Sequence, residues 1–387
     1  MNANELSLVE FYKLHEISPV SQDVSDLRKH FQRRQALYHH LGVAPAAVQG
    51  RKVLEIGPGS GHNSLFTASL GPSAYVLVEG NPQGVKDVGE LFSHHPQWTD
   101  GLRVENALLE DFESDEKFDL VILEGALGLL GTQAPEEFLA QAARFTAPGG
   151  MLVITCVDAA SQFAETTRRL FAQMLIHPDQ SLEDKLRVLL PIFQPHLARL
   201  EGMSRPPSDW IVDNLINPAA VGKTFSIPDA LESLSGEFTI WSSSPRFLTD
   251  WRWYKKIVGE DAGFNEAALR SYWSNLHSFL DHQRVLPPRD EAENVALLTA
   301  CSEVRARVVE YERDRDEKHV AEIASLLGDV VRLTEAVHAE LAEAFQEAKT
   351  LLEQRPIDRQ GLAACNFGGL FGRGQQYLSF VRDRPLL

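Results

Sequence analysis

Basic residues, cysteines and long apolar runs are the features that this sequence has little of. Lys and Arg number 37 against 54 Asp and Glu, which gives a formal net charge of −17. A nucleic-acid backbone is bound by clustered Lys and Arg, so we expect no nucleic-acid partner. No apolar stretch approaches the roughly 20 residues that cross a bilayer, and the first residues are acidic where a signal peptide is basic. We therefore expect a cytoplasmic protein with no membrane partner.

The three cysteines, Cys156, Cys301 and Cys365, lie far apart in the chain. No pair has the spacing of a metal site or a redox motif, so reduced, partly buried thiols are expected. His94 and His95 have no carboxylate spaced to complete a metal site. The sequence therefore predicts no bound metal.

Apolar patterning changes sharply at Arg51. The residues before it have apolar positions near helical spacing. After it, short runs rich in Val, Leu and Ile alternate with glycine-rich turns and helical stretches, which is typical of a parallel sheet covered on both faces. The runs are Val53–Ile56, Tyr75–Val78, Leu120–Leu123 and Met151–Thr155.

The glycine-rich turn after the first apolar run is the most informative segment. Gly57, Gly59 and Gly61 stand at alternate positions, so the backbone can pass close to a ligand where a Cβ would clash. The helix that follows points its unpaired amides toward the same place. A glycine triplet alone is weak evidence for one class of ligand, because dinucleotide-binding turns also contain it.

Two acidic residues near this turn narrow the class of ligand. Glu55 lies inside the first strand, where a carboxylate is costly without a partner, and the ammonium group of a bound amino acid is a natural one. Glu79 ends the second run, where a carboxylate can accept two ribose hydroxyls. No basic residue lies in the turn or beside Glu79. A ligand with a ribose but no pyrophosphate fits this pattern better than NADP does.

The sequence resembles the class I S-adenosylmethionine-dependent methyltransferases. Five motifs in register carry the resemblance: Glu55–Gly61, Val78–Asn81, Asn106–Phe112, Phe118–Glu124 and Ala147–Val153. It covers residues 51–156 and implies S-adenosyl-L-methionine as the cofactor.

The resemblance also implies roles for single residues. The glycine turn would contact the methionine moiety, Glu79 would hold the ribose, and Asn81 of the same motif would belong to the cofactor site. Leu108 and Leu109 would lie against the adenine ring, one of them lending a backbone amide, although either could be a core residue. Glu124, after the fourth strand, would face the cofactor or the acceptor, or else be an acid at a helix N-terminus.

The fold that this family implies is α/β, a Rossmann-like seven-stranded mainly parallel sheet with helices on both faces. Phe238–Ser243 would be strand six and Gln376–Val381 strand seven, with large helical insertions before and after strand six. Apolar residues three and four apart from Val320 to Leu352 predict one long helix in the second insertion. The expected division is a helical N-terminal lid (1–50), the cofactor-binding core (51–160), a helical insertion over the acceptor (161–236), strand six with an aromatic segment (237–262), a helical insertion (263–360) and the C-terminal strand (361–387).

The function that follows from the resemblance is methyl transfer to a small-molecule metabolite by direct displacement at the sulfonium methyl. The acidic charge and the large lid favour a small molecule over a nucleic acid or a protein side chain. An alcohol or ammonium acceptor would also need a base, for which Glu124, His15 and Tyr12 are candidates. Trp251 and Trp253 could line an acceptor pocket or belong to the core.

Two other functions stay open. Attack at a different sulfonium carbon would transfer the aminocarboxypropyl group or close it into a ring, releasing methylthioadenosine, and the first motif does not distinguish these reactions. The other function is a non-catalytic binding or assembly protein. The helical insertion could form a homodimer interface.

Overall fold

The computed structural model describes residues 24–125, 127, 134–203, 205–218, 224–259 and 263–384. The chain divides into two compact units. The described parts of residues 1–156, 222–272 and 375–387 form the first unit, and those of residues 157–221 and 273–374 form the second.

All the described strands belong to the first unit. They are β1 (Lys52–Ile56), β2 (Ala74–Val78), β3 (Leu102–Glu105), β4 (Phe118–Leu123), β5 (Thr146–Cys156), β6 (Phe238–Ser244) and β7 (Gln376–Arg382).

The α-helices of the described residues are numbered in chain order. They are α1 (Leu27–His40), α2 (Ser64–Ser69), α3 (Pro82–Ser93), α4 (Pro135–Ala143), α5 (Phe163–Leu175), α6 (Leu182–Leu197), α7 (Pro207–Ile211), α8 (Ile227–Ser233), α9 (Phe264–Asn275), α10 (Glu291–Asp314), α11 (Glu317–Glu335), α12 (Ala339–Glu353) and α13 (Arg359–Ala364).

The strands form one sheet in the order β3-β2-β1-β4-β5-β7-β6. Strands β1 to β5 are parallel to their neighbours, and β7 runs antiparallel to both β5 and β6. This confirms the predicted fold class, including strands six and seven and the helical segments that precede and follow strand six. Because the central strands are parallel, their carboxyl ends meet at one edge of the sheet.

The central strands are near-continuous apolar runs because both faces of the sheet are covered. In β1, Val53, Leu54 and Ile56 are each at most 3% exposed. Strand β3 was not among the predicted runs. Its four residues, Leu102 to Glu105, lie at the edge of the sheet and include two charged side chains, with none of the four fully buried. An edge strand of this composition has no apolar run from which it could be predicted.

The predicted long helix between Val320 and Leu352 is wrong: the structure has two helices, α11 and α12. The helical conformation is interrupted at His338, whose φ of −158° is extended. His338 is the N-cap of α12, and its side chain accepts a hydrogen bond from the amide of Leu341. The apolar residues still form a buried face on each helix, because the break preserves the spacing on either side. Apolar spacing therefore located the buried positions but not the break.

The position of β7 between β5 and β6 makes a testable prediction about stability. Phe380 of β7 is fully buried and pairs with Leu152 and Ile240, so Phe380→Ala should reduce the free energy of unfolding by about 3–5 kcal/mol. Thr239→Ala removes only an exposed hydrogen bond to Asp383 and should cost about 1 kcal/mol or less. Urea denaturation of both variants measures the difference. Equal, small losses would contradict an internal β7.

Candidate functional site

Three of the residue groups singled out in the sequence lie at the carboxyl ends of neighbouring strands. The glycine turn follows β1, Glu79 follows β2, and Glu124 follows β4. In the sheet order, β1 stands between β2 and β4. Parallel α/β sheets bind ligands at this edge, outside the carboxyl ends of the strands.

The glycine turn has a backbone that other residues rarely adopt. Gly57, Gly59 and Gly61 have φ angles of 70°, 59° and 77°, all in the left-handed region that favours glycine. A Cβ on Gly61 would lie 2.9 Å from Cγ2 of Val88, so this glycine is needed for packing against α3. A Cβ on Gly57 would meet nothing within 4 Å. The turn is therefore packed on one side and open at Gly57.

Glu79 is buried, with 7% of its surface exposed, and its carboxylate holds the turn in place. Oε2 accepts a hydrogen bond of 2.8 Å from the amide of Gly59, and Oε1 accepts one of 2.7 Å from the amide of Asn81. Two backbone amides thus stabilise the buried charge. The carboxylate lies against the glycine turn, and its orientation is fixed before any ligand arrives.

Asn81 is the N-cap residue of α3, and one of its side-chain polar groups has no hydrogen-bond partner among the described residues. Its Oδ1 accepts from the amide of Gln83, while its Nδ2 is buried and has no hydrogen-bond partner among the described residues. A buried amide group of this kind is costly unless a ligand or water completes it.

The two leucines after β3 differ in their surroundings. Leu109 is 3% exposed and belongs to the core, whereas Leu108 is 41% exposed and packs over Gly80. Of the two leucines, Leu109 is thus the core residue. The side chain of Leu108 is the one that a planar ligand could contact.

Glu55 is 3% exposed and lies below the turn, where it accepts a hydrogen bond from the hydroxyl of Tyr75. Burial raises the pKa of Glu55 to about 7, against the effect of the Tyr75 hydrogen bond and aided by the charge of Glu124. The sequence did not reveal Tyr75 as the partner of this carboxylate.

Glu124 accepts four hydrogen bonds from three other parts of the first unit. Arg34 of α1 donates Nη1 to Oε1 at 3.1 Å and Nη2 to Oε2 at 2.9 Å. Oε1 also accepts from Nδ2 of Asn63 at 3.1 Å and from the hydroxyl of Tyr377 at 2.9 Å. Burial is the largest single effect on the pKa of Arg34 and lowers it, but the Glu124 carboxylate together with Tyr38 and Tyr377 more than compensates, so that the pKa of Arg34 is raised. We call Arg34, Asn63, Glu124 and Tyr377 the Glu124 cluster.

Helix α1 contributes a buried stripe that the sequence did not reveal. Its buried residues, His30, Arg34 and Tyr38, are four apart and all polar. Nε2 of His30 donates to the carbonyl of His62 at 3.0 Å, and the Tyr38 hydroxyl is 2.6 Å from that of Thr67. The four-residue spacing was a usable signal, but polar residues at that spacing usually face water.

The remaining candidates are two residues near the N-terminus and two tryptophans. Tyr12 and His15 lie outside the described residues. Trp251 and Trp253 are 92% and 58% exposed, so they are neither core residues nor the lining of an enclosed pocket. Over the described ranges, no group of three His, Cys, Asp or Glu side chains could hold a metal ion, and no described helix has the length and apolar character to cross a membrane.

Comparison with known families identifies part of the chain. A family model described as a methyltransferase domain matches residues 28–195. This range contains α1 from its second residue, the glycine turn, Glu79 and Glu124. No curated protein sequence matches the chain.

Several solved structures are similar to parts of the chain. The CcbJ methyltransferase from Streptomyces caelestis is 25% identical over 34% of this chain and 50% of its own, with a TM-score of 0.29. The N-methyltransferase NodS from Bradyrhizobium japonicum, solved with S-adenosyl-L-homocysteine, is 20% identical over 39% and 74%, with a TM-score of 0.30.

A third structure, PKMT2 from Rickettsia typhi with AdoHcy, is 13% identical over 62% of this chain and 50% of its own, with a TM-score of 0.41. The chain thus spans half the length of CcbJ and of PKMT2. With TM-scores this low, none of these likenesses carries an argument about the acceptor.

The buried Glu55 carboxyl makes a prediction about pH. Its pKa is raised in the folded protein, so the stability that it contributes is fully present below about pH 4.5 and is lost as the pH rises through about 7. Glu55→Gln cannot titrate. Between pH 4.5 and 8, its free energy of unfolding should therefore improve relative to wild type by up to about 3 kcal/mol. Chemical denaturation without ligand at several pH values measures this, and parallel pH profiles would contradict a protonated Glu55.

Proposed function

We propose that this chain, whose residues 28–195 match a methyltransferase-domain model, is a class I S-adenosylmethionine-dependent methyltransferase that transfers a methyl group from S-adenosyl-L-methionine to a small-molecule acceptor. The observation that carries the proposal is the glycine turn fixed by Glu79, with Gly57 open beside it. A turn held in this way can receive a ligand without rearrangement of its backbone, which lowers the free-energy cost of binding.

The residues around the turn fit the chemical parts of this cofactor. The Glu79 carboxylate and the unpartnered Nδ2 of Asn81 are an acceptor and a donor suited to the two ribose hydroxyls. The exposed side chain of Leu108 suits the face of the adenine ring. The opening at Gly57 suits the methionine moiety, whose ammonium group would be near Glu55. A cofactor with a 2′-phosphate on the ribose, such as NADP, fits less well, because that phosphate would lie against the acidic Glu79.

When bound, S-adenosyl-L-methionine supplies an electrophilic methyl group on a sulfonium. The chain's own contribution to a direct displacement is to hold the cofactor, to orient the acceptor and to exclude water. Of the three base candidates, Glu124 already accepts four hydrogen bonds, three at Oε1 and one at Oε2. Oε1 has no acceptor position left, so only Oε2 could receive a proton from an acceptor. His15 and Tyr12 are the other two base candidates.

The acceptor that we propose is a small molecule. The net charge of −17 supports this choice, since an anionic polymer would be repelled by most of the surface.

Product analysis tests the reaction. The purified protein is incubated with S-adenosyl-L-methionine and fractionated metabolite pools, and the nucleoside product is identified by mass spectrometry. S-adenosylhomocysteine together with an acceptor heavier by one methylene supports methyl transfer. Methylthioadenosine in its place would assign the alternative displacement at another sulfonium carbon. If neither product forms and the protein does not bind S-adenosyl-L-methionine, a non-catalytic protein is favoured.

A matched pair of glycine substitutions tests the site. Gly57 and Gly71 have φ angles of 70° and 72°, and a Cβ on either meets nothing within 4 Å. Alanine should therefore cost about 1–2 kcal/mol of stability at both positions. Only Gly57→Ala puts a methyl group in front of the turn, and it should weaken S-adenosylhomocysteine binding at least tenfold in calorimetry. Equal affinity of the two variants would remove the turn from the cofactor site.

A further inference from the structure

We propose that the Arg34–Glu124 ion pair is a clamp that fixes α1 against the glycine turn, and that Glu124 is a positioning residue for the cofactor site. This rests on the proposed function, because the site that the clamp organises is the proposed cofactor site. Three observations support it: the polar inner face of α1, the elements that meet at Glu124, and the burial of the Arg34–Glu124 ion pair.

The inner face of α1 does not pack as an ordinary amphipathic helix does. The buried side chains of α1 are His30, Arg34 and Tyr38, and burying such groups is unfavourable unless each has a hydrogen-bond partner. All three partners lie at or just after the turn that follows β1, or at the end of β4: the carbonyl of His62, the carboxylate of Glu124 and the hydroxyl of Thr67. Partly buried Leu27, Phe31 and Leu37 of α1 also pack against the core. Apolar packing therefore holds the helix against the first unit, and the polar contacts define its register.

Glu124 is where the elements around the site meet. Its carboxylate joins α1 through Arg34, the end of the glycine turn through Asn63, and β7 through Tyr377. Asn63 occupies the N-cap position of α2, yet its side chain makes no capping bond and donates to Glu124. A side chain at an N-cap normally satisfies the first amides of its helix. Here it ties the turn to the ion pair.

The ion pair also separates positioning from proton transfer. If Glu124 took up a proton from an acceptor, Arg34 would lose its counter-charge. Arg34 has an 8% exposed side chain and Glu124 a 15% exposed one, so the loss of either partner leaves an uncompensated charge away from water. The pair is therefore suited to holding α1 and the turn together.

The experiment neutralises the pair in the full chain and measures S-adenosylhomocysteine binding by calorimetry. Arg34→Met with Glu124→Gln removes both charges while the glutamine oxygen can still accept from Asn63 and Tyr377. We expect affinity to fall at least tenfold, and backbone amides of α1 to exchange hydrogen faster than in wild type. Arg34→Lys, which keeps the charge but not the two-point contact, should recover part of the lost affinity.

A second buried ion pair supplies the matched control. In the second unit, Arg169 donates to both oxygens of Glu312 at 2.6 and 2.7 Å, with side chains 2% and 10% exposed. Arg169→Met with Glu312→Gln should lower Tm to a similar extent and leave S-adenosylhomocysteine affinity and α1 exchange unchanged.

The outcomes separate this inference from the proposed function. If the Arg34/Glu124 double variant is folded and binds S-adenosylhomocysteine like wild type, or if the Arg169/Glu312 control loses affinity equally, the clamp is overturned. If wild type itself does not bind S-adenosylhomocysteine, the proposed function fails. In that case, faster exchange of α1 amides in the Arg34/Glu124 variant alone still supports the clamp, and unchanged exchange overturns it.

Discussion

Three carboxylates, Glu55, Glu79 and Glu124, are largely withdrawn from water at the carboxyl edge of one sheet, and a buried carboxylate must be stabilised or neutralised. The three carboxylates are stabilised or neutralised in three different ways. Glu79 accepts from two backbone amides, Glu124 pairs with Arg34, and burial raises the pKa of Glu55 to about 7, so that it holds a proton at slightly acid pH. The conformation of the edge follows from these three solutions.

The three carboxylates also differ in the charge and the acceptor positions that remain available to a ligand. The two amides at Glu79 fix its direction while its charge remains, so it can still attract a donor. Glu124 keeps a free acceptor position only on Oε2, and its charge is paired with that of Arg34. Glu55, held by Tyr75, would gain from a cation nearby, because a positive charge favours the ionised carboxylate. Neighbouring residues of one type thus take different tasks because their environments differ.

The sequence predicted those parts of the fold that depend on local composition. The apolar runs located β1, β2, β4 and β5, and the glycine triplet with Glu79 located the turn and its acidic neighbour. It could not reveal contacts between residues far apart in the chain. Arg34 and Tyr377 look like ordinary surface and strand residues until α1 and β7 are brought to Glu124. Edge strand β3 and the break at His338 were missed because neither interrupts or produces an apolar pattern.

The place of β7 in the sheet has a consequence for how the protein is made. More than two hundred residues separate the end of β5 from the start of β7, and the two strands pair between Met151–Cys156 and Gln376–Val381. During vectorial synthesis β5 therefore waits with one row of amides and carbonyls unpaired, and such a row is a template for wrong strand pairing. Closure over so long a loop is also intrinsically slow. β5 gains its antiparallel neighbour only after residues 376–382 have been synthesised.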